Sequence, residues 1–131
     1  MPLIEWNSSL VLGIDEIDQQ HKQWIEIINN LDDALMNRSG SKTLVQLARE
    51  MVGYTSYHFA EEEQFMKAIG YPGLDQHIAL HKDFTAQVKT LKDELESGQF
   101  VSETSVMSTM KRWLEDHIKT VDRLYVPYSK S

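Results

Sequence analysis

The stretch Thr55–Met66, TSYHFAEEEQFM, is the most informative part of the chain because it places a histidine and a carboxylate on one apolar helix face. His58 and Glu62 are four residues apart, so they lie one turn apart on the same side of an α-helix. Glu61 and Glu63 fall on other faces and are interpreted as solvated charges. A lone ionised carboxylate in a core is strongly disfavoured unless it is paired or bound to a metal. The stretch therefore predicts a pair of metal ligands on a buried helix face.

The rest of the chain extends this helix into a bundle. Four stretches show helical periodicity, and short breaks rich in Gly, Ser or Pro separate them. Short connections favour antiparallel neighbours. The predicted fold is therefore all-α, an up-down-up-down antiparallel four-helix bundle in a single domain. We expect an extended N-terminal arm at residues 1–17. Four helices should follow it, at about 18–37, 42–69, 75–97 and 102–122.

The helix ends are predicted from capping and breaking residues. Asp18, Ser41 and Asp75 stand where side chains commonly cap the first turn of a helix. Pro127 is expected to bar continuation of the last helix.

All five histidines of the chain fall on the predicted apolar faces, and together they represent all four helices: His21, His58, His77, His81 and His117. A single histidine on such a face is more often an ordinary hydrogen-bonded core residue. An unpaired buried ring nitrogen costs about 1–3 kcal/mol, so five buried rings need a common partner. A metal cluster supplies that partner.

Asp122 is a further candidate ligand, although its spacing is unfavourable. It lies five residues after His117, which corresponds to about 140° around an ideal helix. It can join the cluster only through a π-type turn or a loosened helix end. The alternative interpretation is a surface residue near the end of the helix.

Seven candidate ligands exceed what one four-coordinate zinc ion uses, and they suit two six-coordinate ions bridged by carboxylates. Imidazole and carboxylate together are compatible with iron, manganese or zinc, so the ligands alone do not select the metal. Two such ions offer twelve positions. Five imidazoles, two bridging carboxylates and one bridging oxygen fill eleven of them. The remaining position is available to a small molecule.

Composition excludes other classes of function. The net charge of −7 argues against a nucleic-acid partner and gives no support for docking on anionic lipid. The chain has no cysteine, which excludes disulfides, thiolate metal sites and thiol nucleophiles. There is no run of 18 apolar residues and no signal-peptide pattern. We therefore expect a cytoplasmic monomer without membrane insertion.

The order and spacing of these motifs resemble the hemerythrin family, and specifically its single-domain bacterial members. The matching segments cover nearly the whole chain: Gly13-Ile14-Asp15 through Asp18-Gln19-Gln20-His21-Lys22, His58-Phe59-x-x-Glu62-Glu63-x-x-Met66, Tyr71-Pro72, His77-x-x-x-His81-x-x-Phe84, and Trp113-Leu114-x-x-His117-Ile118-x-x-x-Asp122.

The resemblance implies two non-haem iron ions bridged by an oxo or hydroxo group. It assigns His77, His81 and His117 to one iron and His21 and His58 to the other. Glu62 and Asp122 would bridge the two irons. The iron with two histidines would keep the open position for O2. An apolar pocket around the oxygen would be formed by Trp24, Phe59, Trp113, Leu114 and Ile118.

The implied function is reversible oxygen binding without catalysis, for oxygen transport, storage or delivery to an oxygen-consuming enzyme. One alternative is a sensor of oxygen, iron or nitric oxide that acts through a separate partner. Another is a di-iron oxidase or peroxidase of the ferritin-like class. Those sites use paired Glu-x-x-His motifs, and the apolar faces of this chain contain none.

Overall fold

The computed structural model describes residues 2–130 and contains no β-strand within that range. It consists of four long α-helices, which we number α1 to α4: Asp15–Met36, Ser41–Ala68, Leu74–Glu96 and Glu103–Asp116. A π-helix, His117–Val121, and a 3-10 helix, Asp122–Lys130, continue from α4. The predicted all-α four-helix bundle is confirmed. None of the helices in the described range is long and apolar enough to cross a membrane.

The apolar faces of the four helices meet in one core. Helix α2 packs against both α1 and α3, and α1 also packs against α4. The core is filled at its centre by large, fully buried side chains that come from all four helices: Trp24, Ile28, Leu31, Met51, Met66, Phe84, Met107, Met110 and Leu114. Burial of this apolar surface is the main force that holds the helices together.

The N-terminal arm differs from the extended segment predicted for residues 1–17. It contains a short 3-10 turn, Ser8–Leu10, and α1 begins at Asp15, three residues earlier than expected. Asp18 is not the N-cap of α1. Instead its buried carboxylate accepts hydrogen bonds from the backbone amides of Leu12 and Gly13. The side chain that suggested an N-cap therefore links the arm to the first turn of α1.

The two other predicted caps are also wrong. Helix α2 begins at Ser41 itself after Gly40, and α3 begins at Leu74 after Gly73, in neither case with a side-chain cap. Asp75 instead contributes a negative charge within the first turn of α3, where the helix dipole favours it.

The chain also continues past Pro127, which was expected to bar the last helix. The 3-10 helix contains this proline because a φ angle near −65° fits a 3-10 helix, so only one hydrogen-bond donor is lost. The preceding π-helix widens the turn between His117 and Asp122. The end of the bundle is therefore helical but not regularly α-helical.

A buried acid lies on α1, about 16 Å along the helix from His21. Asp32 is 2 % exposed. Burial, and then hydrogen bonding to Glu103 of α4, raises the pKa of Asp32 to about 7. Between pH 4 and pH 7 this carboxyl group therefore binds more protons in the folded protein than in the unfolded chain, and its contribution to stability falls as the pH rises.

Replacement of Asp32 by asparagine should remove this pH-dependent loss. We expect Asp32→Asn to raise the free energy of unfolding at pH 8 by on the order of 1 kcal/mol, with a smaller effect at pH 4. Urea unfolding at both pH values measures it. Glu26→Gln, at an exposed position of the same helix, is the control. An equal effect of Asp32→Asn at both pH values would show that its ionisation does not affect stability.

Candidate metal centre

Seven buried side chains converge at one level of the bundle, and all seven were predicted as metal ligands. They come from α1, α2 and α3, from the first residue of the π-helix and from the first residue of the 3-10 helix, and each is at most 3 % exposed: His21, His58, Glu62, His77, His81, His117 and Asp122. Two subsets bring ligand atoms within 4.8 Å of one another. The larger contains Glu62, His77, His81, His117 and Asp122, and the smaller contains His21, His58 and Glu62.

Glu62 lies between the two groups of histidines and turns one oxygen to each. Its Oε1 lies 2.9 Å from Nε2 of His81 and 3.3 Å from Nε2 of His77. Its Oε2 lies 3.6 Å from Nε2 of His21 and 3.7 Å from Nε2 of His58. This is the arrangement that a carboxylate needs to bridge two cations.

Asp122 is divided between the groups in the same way. Its Oδ1 lies 2.9 Å from Nε2 of His77 and 3.0 Å from Nε2 of His117, whereas Oδ2 lies 3.2 Å from Nε2 of His21. The π-helix that the spacing required is present between His117 and Asp122. Asp122 is fully buried, so its interpretation as a surface residue is wrong.

The donor set fits cations better than it fits hydrogen bonds within the protein. Nε2 atoms of His77 and His117 lie 3.0 Å apart, although two such nitrogens can share at most one proton. Buried atoms without a hydrogen-bond partner include Nε2 of His58 and His81 and both carboxylate oxygens of Asp122. Two ligand atoms at right angles, each about 2.1 Å from an ion, lie about 3.0 Å apart. The shorter contacts, from 2.9 to 3.3 Å, match that separation.

The electrostatics of the cluster without a cation are those of buried ion pairs. Burial alone would lower the pKa of His21 and His77, but the negative carboxylates of Asp122 and Glu62 close to their Nε2 atoms outweigh it and raise both to about 9. Burial would raise the pKa of Glu62, yet the surrounding histidines hold it well below its ordinary value. For His58 burial prevails and lowers the pKa to about 4. Protons therefore occupy the cluster where cations would otherwise compensate the carboxylates.

Two histidines are oriented by partners on their outer ring nitrogens, and neither partner was predicted. Nδ1 of His58 donates to Oε1 of Gln20, and Nδ1 of His81 donates to Oε2 of Glu63, each over 2.8 Å. Glu63 is therefore not the purely solvated charge that the sequence suggested. Glu63 lies outside the apolar face of α2, but α3 brings Nδ1 of His81 within hydrogen-bonding distance of its carboxylate.

Tyr125 is a further residue that the sequence analysis missed. Its buried hydroxyl donates to Oε2 of Glu62 over 2.7 Å. Burial, followed by the nearby charges of Asp122 and Glu62, raises the pKa of Tyr125 far above its ordinary value. The only signal in the sequence was its position three residues after Asp122. This position did not indicate a role in the site because the last helix was expected to end near it.

Aromatic rings surround the cluster. Phe59 stacks on His81 with ring centroids 3.8 Å apart, although it follows His58 in the chain. Trp113 stacks on His117 at 4.3 Å, and Trp24 lies 5.0 Å from His58. Two further predicted pocket residues, Leu114 and Ile118, are fully buried. Trp113 is the one member of the predicted pocket that is only partly buried.

The fold and the site together define a class: a helical bundle with a buried histidine–carboxylate site for cations. The family described as the hemerythrin HHE cation binding domain matches residues 12–129. The predicted resemblance is thereby confirmed, and the chain belongs to the hemerythrin family.

Individual relatives agree with this assignment. The chain is 34% identical to a bacteriohemerythrin of Stenotrophomonas maltophilia over 131 residues, which is 100% of this chain and 84% of the relative. It is 33% identical to a bacteriohemerythrin of Pseudomonas aeruginosa, over 96% of this chain and 81% of the relative. A crystal structure of wild-type hemerythrin has a TM-score of 0.87 at 24% identity, over 98% of this chain and 99% of that one, which supports the fold.

Proposed function

We propose that the protein binds molecular oxygen reversibly at two iron ions held by the seven converging side chains. His77, His81 and His117 would hold one ion, His21 and His58 would hold the other, and Glu62 and Asp122 would bridge them. Two ferrous ions held there would supply the electrons that oxygen takes up on binding and returns on release. Oxygen transport, storage or delivery to an oxygen-consuming enzyme would use this property.

The observation that carries the proposal is the division of both carboxylates between two groups of histidines. One oxygen of Glu62 faces His81 and the other faces His21, and the oxygens of Asp122 are divided in the same way. A mononuclear site would not need two carboxylates that each turn their oxygens in opposite directions. Membership of the hemerythrin family supports iron as the metal and oxygen as the ligand.

The surroundings favour binding over oxygen chemistry. Cleavage of the O–O bond by an oxidase or peroxidase needs a positioned proton donor. The hydroxyl of Tyr125 already donates its proton to Glu62. Phe59, Trp24 and Leu114 add apolar, buried surface that excludes water. These residues support a site without water, from which oxygen is released chemically unchanged.

The proposal is tested by optical spectra of the ferrous protein during repeated exposure to air and argon. We expect an absorption band to appear in air, to disappear under argon and to return with little loss over several cycles. A single irreversible change on first exposure to air would indicate an oxidase. No change at all would exclude oxygen binding.

Leu114 should protect the oxygen complex, because it is fully buried one turn before His117. We expect Leu114→Ala to speed autoxidation several-fold, while initial oxygen binding changes less because the proposed ligands are untouched. The decay of the oxygen-dependent absorption band in air measures the rate.

Leu91→Ala is the matched control, because Leu91 is buried on α3, about 15 Å along the helix from His81. Both substitutions should cost about 2–5 kcal/mol of stability through the cavity they leave. Only the change at Leu114 should affect autoxidation. Equal rates in the two variants would mean that Leu114 contributes packing alone.

A further inference from the structure

The two outer hydrogen bonds to the cluster have the same geometry but unlike acceptors. His58 donates from Nδ1 to the amide oxygen of Gln20, and His81 donates from Nδ1 to the carboxylate of Glu63, both over 2.8 Å. Gln20 is neutral and partly buried, whereas Glu63 carries a charge and its side chain is 29 % exposed. The two groups of histidines therefore receive different electrostatic support.

Both acceptors fix the tautomer of the ring that they contact. An amide oxygen and a carboxylate oxygen can only accept, so the proton of each ring must reside on Nδ1. Nε2 of His58 and of His81 then presents its lone pair towards Glu62, 3.7 Å and 2.9 Å away. Gln20 and Glu63 thus prepare the two rings for a cation in the same way.

The acceptors differ in how far they polarise the ring. A carboxylate that accepts from a metal-bound imidazole raises the basicity of that ligand and stabilises the higher charge on the metal. A neutral amide does so less. Partial exposure screens the charge of Glu63, but its hydrogen bond to His81 is direct and lies at the edge of the core.

We propose that Gln20 and Glu63 are positioning residues that make the two halves of the centre electronically unequal, with the half that contains His81 the more easily oxidised. This inference rests on the proposed di-iron function. The neutral partner of His58 leaves the half that contains His21 and His58 with the higher reduction potential. That half is the one to which the open position for oxygen was assigned.

The test exchanges the charges and keeps the hydrogen bonds. Glu63→Gln and Gln20→Glu each retain an acceptor of similar reach, and the double exchange has the same net charge as the wild type. Midpoint potentials are measured by anaerobic redox titration, with electron paramagnetic resonance of the half-oxidised protein as the second readout. We expect a higher midpoint for Glu63→Gln, a lower one for Gln20→Glu, and an altered resonance spectrum for the double exchange.

Glu61→Gln is the control, because it removes the same charge from an exposed neighbour on α2. A midpoint for Glu63→Gln that equals that of Glu61→Gln would overturn the inference. So would a double exchange whose spectrum is identical to that of the wild type. If Gln20→Glu does not bind iron, the difference in midpoint potential between Glu63→Gln and Glu61→Gln tests the inference.

A third readout separates the orientation of the His81 ring from the effect of the charge on Glu63. Glu63→Ala should accelerate exchange of the His81 ring proton with solvent in nuclear magnetic resonance spectra of the iron-loaded protein, whereas Glu63→Gln should not. A wild-type protein with fewer than two irons would refute the proposed function itself. Two irons and reversible oxygen binding with unshifted potentials would refute only the present inference.

Discussion

Glu62→Ala should abolish iron binding at both positions and not only at one. One oxygen of this side chain faces His77 and His81, and the other faces His21 and His58. Its removal takes a bridging ligand from both ions and leaves several buried imidazoles without their anionic partner. We expect iron to fall from about two ions per chain to nearly none, as measured by metal analysis after anaerobic loading and desalting.

Glu61→Ala is the matched control, since it deletes the same chemical group from an exposed position one residue away. It should retain the full iron content. Circular dichroism must show that Glu62→Ala remains helical, so that the loss of iron is not a loss of fold. A folded Glu62→Ala protein that retains one iron would indicate that Glu62 serves a single ion.

Removal of iron from the wild-type protein should lower its melting temperature by roughly 10–20 °C, which corresponds to a few kcal/mol for a domain of this size. The reason is that the seven proposed ligands are nearly completely buried and include several polar atoms without hydrogen-bond partners. Binding free energy released only in the folded state is added to the free energy of unfolding. Thermal melts with and without a chelator measure the difference.

The effect should also depend on pH in a defined direction. In the iron-free protein the pKa of His21 and of His77 is raised to about 9. The stability that these protonated rings contribute is fully present below about pH 6.5 and is lost as the pH rises through 9. Bound iron excludes these protons, so the iron-loaded protein does not share this loss. The difference in melting temperature should therefore widen between pH 6 and pH 9. A difference that narrows would contradict the assigned proton positions.

The sequence predicted the bundle and the convergence of the histidines because both depend on helical periodicity. His58 and Glu62 are one turn apart, and His77 and His81 repeat that spacing, so a common face follows from local geometry. Asp122 could be placed only conditionally, since its participation depends on a π-turn that periodicity does not predict.

Contacts between helices were beyond the reach of the same reasoning. Glu63 was assigned to solvent from its position on α2, yet α3 supplies His81 as its partner. Tyr125 reaches Glu62 from a 3-10 helix beyond the expected end of the bundle. The predicted N-cap at Asp18 was wrong for a related reason. Its carboxylate accepts hydrogen bonds from backbone amides of the arm, and these amides come close to it only when the arm is folded. Periodicity gives the face of a residue but not the neighbour that meets it.

The most direct measurement of the central claim is the combined stoichiometry of iron, oxygen and protein. Ferrous protein is loaded without air, its iron is counted, and the oxygen taken up on exposure to a known volume of oxygenated buffer is measured with an electrode. The seven proposed ligands, two of them carboxylates divided between the two groups of histidines, predict two irons per chain and one oxygen molecule per pair of irons. This oxygen should be recovered when the solution is purged with argon. One iron per chain, or oxygen that is consumed and not recovered, would contradict a reversible di-iron oxygen carrier.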